Sequence, residues 1–165
     1  MIRIASLATQ KVMSILAATQ GVPAAIAALV SQEGVALPAI TATQIVAQNA
    51  TPELWEESTA GKYPMIYVYC SKMTNQLKEK FRTFSGDVQM TVEARVSQNQ
   101  LTEIDANLGV YIDALTQVLN QNRGDWGDGI FYSGGYEVAF GAVRRGGQNF
   151  LQAAKVSFSL EVSTD

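Results

Sequence analysis

The chain has 165 residues, 12 basic and 15 acidic, with a net charge of −3 and an isoelectric point near 5.0. That balance excludes a chain that binds nucleic acid by neutralising phosphates over its whole surface. The lack of histidine removes the commonest general base, the commonest metal ligand and every Ser-His or Cys-His arrangement.

Hydrophobic residues make up 47% but charged residues only 16%, against about 25% in ordinary domains. The polar complement is neutral, with 43 Ser, Thr, Asn and Gln. A free monomer normally stays soluble with more charge than this, so the deficit points to surface covered by other subunits. The plainer alternative is a Gln- and Ala-rich globule. The length fits about one domain, read here as 1–165 with N-terminal helices (1–34), an irregular connection (35–62) and a sheet with a long helix (63–163).

In chain order, Ile4, Leu7, Val12, Ile15 and Leu16 recur at helical spacing and predict a helix over 2–19. Gly21 and Pro23 end it and open a second, Ala-rich helix over 23–32, which stops at Gly34. This region resembles a signal peptide weakly. Gln10, Lys11 and Gln20 interrupt it, and "VPAAIAALV" falls far short of the ~20 apolar residues of a spanning helix. A soluble, non-secreted chain with no membrane partner is expected. "ITATQIVAQ" (40–48) reads as an edge strand, and Thr51-Pro52 as a cap followed by a first helical turn.

"PMIYVYC" (64–70) is a β-prone apolar run, and 71–83 is a polar connection. "FSGDVQMTVEARVS" (84–97) then alternates almost without fault. At about 3.3 Å per residue it runs roughly 46 Å, longer than the ~40 Å body expected of this chain. Either the strand bends sharply, or part of it leaves the body and packs on something else. Ser97 to Gln100 gives a capping-box pattern opening a helix to about Asn122. Leu101, Ile104, Leu108, Tyr111, Ile112, Leu115, Val118 and Leu119 form its apolar stripe. "NRGDWGDG" (122–129) reads as a glycine-rich loop. A hairpin closes the pattern, with strands at 136–143 and 150–163 and a turn at 144–149. The expected fold is α+β, an antiparallel sheet of about four long strands in two hairpins, with helices on its apolar face and a polar face opposite.

Catalytic and cofactor chemistry finds little support. Cys70 lies among apolar neighbours that raise its thiol pKa, and it reads as a core filler. Asp125 and Asp128 lack the register and number of oxygens that calcium wants and read as turn residues, and "RGD" (123–125) as coincidence. Gly134-Gly135 and Gly146-Gly147 fall in hairpin context, not in a phosphate-cradling motif. Glu93 and Glu161 can be imagined as an acid–base pair, but cross-strand pairing with Arg95 and Lys155 is the nearer reading. No catalytic, cofactor or metal residue is therefore expected, and the chain reads as a non-enzyme. Two basic clusters remain: Lys72, Lys78, Lys80 and Arg82, opposed by Glu79, and Arg144 with Arg145. Both read as hairpin tips. They either guard edges against aggregation or contact an acidic protein rim or nucleic acid.

The order of a helix, "YPMIYVYC", "FSGDVQMTVEARVS", an amphipathic helix and "GIFYSGGYEVAFGAVRRGGQNFLQAAKVSFSLEV" resembles the tail-terminator and neck proteins of long-tailed bacteriophages. The resemblance covers roughly 60–163 and, loosely, the first helix; 35–60 has no counterpart in it. It implies a homo-oligomeric ring, usually hexameric, that caps the head-proximal end of a tail tube and ends its growth. The ring offers the head connector or collar a docking surface and lets DNA pass without sequence-specific binding. Such a protein belongs to the virion, is assembled in the host cytoplasm and has no catalytic residues. A connector, stopper or collar ring is the first alternative, and a small ligand-binding α+β module the second.

Overall fold

The two alternating segments pair with each other. Phe84 lies opposite Thr164, and the register holds without interruption to Gln98 opposite Phe150. A computed structural model describes residues 3–50, 63–146 and 148–165. Along these run α1 (Ile4–Leu16), α2 (Val22–Glu33), a 3-10 turn (Ala42–Gln44), β1 (Ile45–Val46), β2 (Met65–Asn75) and β3 (Phe84–Gln98). There follow α3 (Ile104–Gln121), β4 (Gly124–Gly127), β5 (Ile130–Tyr132), β6 (Tyr136–Phe140), β7 (Arg144–Gly146) and β8 (Asn149–Thr164).

The fold is α+β, but its sheet is not a plain four-stranded antiparallel one. Among the described residues eight strands share it in the order β1-β2-β3-β8-β5-β4, with β6 and β7 also on β8, and β1 runs parallel to β2. The expected edge strand at 40–48 shrinks to Ile45 and Val46, because Thr41 and Gln44 first close a capped 3-10 turn. Residues 122–129 are not a loop. Gly124–Gly127 pairs with Ile130–Tyr132, and the left-handed backbone at Asp128 and Gly129 turns the chain between them.

Length is explained within the chain. β3 lies between β2 and β8, and β8's other edge is zipped successively by β7 at 149–151, β6 at 154–158 and β5 at 161–162. Neither long strand offers the free edge that its length suggested. Each is long because the other matches it residue for residue.

One face of these strands carries Ile66, Val68, Val88, Met90, Val92, Ala94, Val156, Phe158, Leu160 and Val162, all buried in a common core with the helices. Ala8, Val12 and Leu16, spaced by four, bring α1 onto it. Leu108, Tyr111, Leu115, Val118 and Leu119 do the same for α3. α2 is capped by Gly21, carries a proline in its first turn and stops at Gly34, whose φ of 66° and N–H to the Val30 carbonyl (3.0 Å) close it as the sequence predicts. The capping box expected at Ser97 does not form. Ser97 stays in β3 opposite Leu151, α3 starts only at Ile104 after Glu103 in a left-handed conformation, and Leu101 is exposed. The cap and helical turn expected at Thr51-Pro52 lie outside the described residues.

Candidate functional site

Two features stand apart from the core, an arm and a groove. The arm is the far half of the β2–β3 hairpin. A bulge at Ser71 separates Cys70, opposite Met90, from Lys72, opposite Gln89, and the Ser71 hydroxyl donates to the Gln89 carbonyl at 3.1 Å. Every residue from 71 to 83 is exposed. β2 meets β1 only at Ile66 and Tyr67, so among the described residues its outer edge is unpaired from Val68 onward.

The tip of the arm has its own hydrogen bonds. The N–H groups of Gln76 and Lys78 donate to the Ser85 carbonyl at 3.1 and 3.4 Å, and the Asn75 side chain accepts from the N–H groups of Leu77 (3.2 Å) and Ser85 (3.1 Å). This frame holds Leu77 and Phe81 at φ of 49° and 66°, a region that costs a bulky side chain on the order of 1 kcal/mol or more. Phe81 is 99% exposed, with Leu77 and Met73 exposed beside it in sequence. These apolar residues were hidden to sequence reading by the lysines that alternate with them.

The first basic cluster lies on this arm, but it is less free than its composition implies. Lys78 pairs with Asp87 at 3.3 Å, and Arg82 with Glu79 at 3.4 Å and Asp165 at 2.5 Å. Glu79 also accepts from the Ser163 hydroxyl at 2.8 Å. Three carboxylates, not Glu79 alone, therefore oppose the cluster, and the hydrogen bond that Arg82 donates to Asp165 pushes the Arg82 pKa up. Lys72 and Lys80 form no ion pair among the described residues. Arg144 and Arg145 stand in β7, opposite Leu151 and Phe150, ahead of the turn and not at its tip. They lie at the other end of β8 from the arm, roughly 40 Å away along the strand. The two clusters are not brought together.

The groove lies on the polar face, which is not uniformly wet. Tyr67, Thr91, Glu93 and Arg95 are buried there. Arg95, 1% exposed, donates from Nη2 to Glu93 at 2.9 Å and to the Ala50 carbonyl, and its guanidinium stacks 4.0 Å above the Tyr67 ring. Its Nε and Nη1 have no acceptor among the described residues, a condition that costs roughly 1–3 kcal/mol for a buried polar group. Burial pushes the Tyr67 phenol pKa up, and the nearby Arg95 works against that shift. Above these residues a groove of about 460 Å³ opens. Ala50, Glu93, Arg95, Lys155 and residues 139–142 are among its lining. Arg144 lines it.

Glu93 therefore pairs along its own strand with Arg95, while Lys155 lies opposite it in register. Glu161 lies opposite Asp87, six positions further along, so the two glutamates cannot work as an acid–base pair. The Glu-x-Arg spacing, which puts opposite charges on one strand face, was the available signal for the pair. Its burial was not legible. Asp125 stands in β4 opposite Phe131, not in a turn, and accepts from the Gly127 N–H at 2.8 Å, whereas Asp128 is a turn residue that pairs with Lys11 at 2.8 Å. Cys70 is half-buried against the core, and burial pushes its thiol pKa up. No helix among the described residues is long and apolar enough to cross a membrane. In comparison with known proteins, no family model matches this chain, and no curated protein matches it.

Proposed function

We propose that the chain is a structural subunit of a phage neck, a tail terminator that assembles with copies of itself into a ring, hexameric in this reading. The ring caps the head-proximal end of a tail tube, ends its polymerisation and offers the connector or collar its docking surface. DNA passes through the lumen without being read. The observation that carries this reading is the arm. An exposed strand whose outer edge is unpaired among the described residues, tipped by a fully exposed phenylalanine, is a surface that needs a partner. A neighbouring copy can complete it by β-addition, and a heterologous contact of that kind repeats into a ring when its rotation closes. The neutral, charge-poor composition supports the same reading. The changed position of the free edge, on β2 and not on the two longest strands, moves the expected contact from 84–97 to 68–83.

Native mass spectrometry of the purified chain, alone and with tube ends, tests the proposal. A ring in either condition supports it, and a monomer that ignores tube ends overturns it. A connector, stopper or collar ring has the same subunit features and differs in the partner on each face. The groove over Arg95 favours a different second reading, a small ligand-binding module, which remains monomeric or dimeric under both conditions.

A further inference from the structure

The groove on the polar face contains chemistry that a ring does not require. We propose that it binds an oxyanion, a carboxylate or phosphate group held against Arg95 with Lys155 beside it. Arg95 is the centre of the groove's chemistry. A guanidinium offers five N–H donors. Glu93 and Ala50 take those of Nη2, while Nε and Nη1 are buried without an acceptor among the described residues. The Tyr67 ring blocks one face of the guanidinium, so an acceptor must approach in its plane or from the other side.

The surroundings supply charge and space. Lys155 also lines the groove, and the one carboxylate among its described lining residues, Glu93, is already neutralised by Arg95. Among Arg95, Glu93 and Lys155 the balance is one positive charge, in a cleft where an anion is held more strongly than on an open surface. Ala139, Gly141 and Ala142 present little side-chain bulk, and the resulting volume of about 460 Å³ accommodates a small anionic ligand. An oxyanion supplies acceptors only, which is what the unpaired donors lack.

The full chain is titrated with sodium phosphate and, separately, with sodium succinate at constant ionic strength, following the Arg95 Nε–H resonance assigned by through-bond correlation. A saturable shift is expected. Phosphate alone identifies a phosphate site, succinate alone a carboxylate site, and both a general oxyanion site. Lys155→Gln, at an exposed position and checked by circular dichroism, is expected to weaken binding about threefold or more, the scale of one partly screened charge. No saturable movement with either anion overturns the proposal, as does a Lys155→Gln chain that titrates like the parent.

Discussion

Glu93 and Arg95, two positions apart on β3, form an ion pair of 2.9 Å with almost no access to solvent. Breaking such a pair from one side leaves a buried charge, whereas replacing both members removes the need for either. Glu93→Ala is expected to cost roughly 3 kcal/mol in urea unfolding, and Glu93→Leu combined with Arg95→Met less than the sum of the separate changes. A Glu93→Ala chain as stable as the parent contradicts this account of the polar face.

Phe81 sets local stability against assembly. Its backbone is left-handed and its side chain touches little, so Phe81→Gly is expected to preserve stability or raise it by up to about 1 kcal/mol. If the arm makes the contact between copies, the same change weakens ring formation about tenfold or more, the effect of losing one aromatic anchor. Thermal unfolding and native mass spectrometry on one preparation measure both. Unchanged assembly removes Phe81 from the interface.

The lysines of the arm divide into two kinds. Lys72 and Lys80 form no ion pair among the described residues, so reversing them to glutamate is expected to leave Tm unchanged and reduce joining to an acidic partner. Lys78 and Arg82 are tied to Asp87, Glu79 and Asp165. Reversing those two is expected to loosen the tip, seen as faster hydrogen exchange at 76–85, before any effect on partners can be judged. Equal exchange in the two double variants contradicts the division.

Tyr111 gives the fold an alkaline limit. Its hydroxyl donates to the Pro38 carbonyl at 2.6 Å, and burial pushes its pKa from 10.0 to about 12. The folded chain thus holds this proton more tightly than the unfolded chain. The contribution is complete below pH 10 and is lost as pH rises through about 12. Tyr111→Phe is expected to be about 1 kcal/mol less stable at neutral pH, with a gap that narrows between pH 10 and 12. Unfolding midpoints across that range measure it, and a constant gap contradicts it.

Much of this architecture was legible because period-two and period-3.6 patterns report burial directly. β8, the β2–β3 hairpin and the buried stripe of α3 follow from alternating or helically spaced apolar residues. What stayed hidden depends on partners distant in sequence. Nothing around Phe84 announces Thr164 as its neighbour, so a strand filled on both edges looked like a strand waiting for another subunit. The capping box failed because β3 continues through Ser97, where pairing with β8 overrides a local preference. β5, β6 and β7 are short because the chain breaks at Gly134-Gly135 and at Gly141-Ala142, and such interruptions read from sequence as one strand and a loop. Polar residues on strands read as wet, and only contacts from elsewhere bury Arg95.

The position of β8 also bears on how the molecule comes into being. It fills the gap between β3 and the three strands that precede it, and β3 ends at Gln98 while β8 begins at Asn149. During synthesis, Val88 must therefore wait for Leu160 and Val96 for Gln152, with one edge of their strand open in the meantime. Pairings of such long range are slow to form and leave the nascent chain exposed to wrong partners. A polypeptide stalled on the ribosome before β8 emerges should need a chaperone that the finished chain does not.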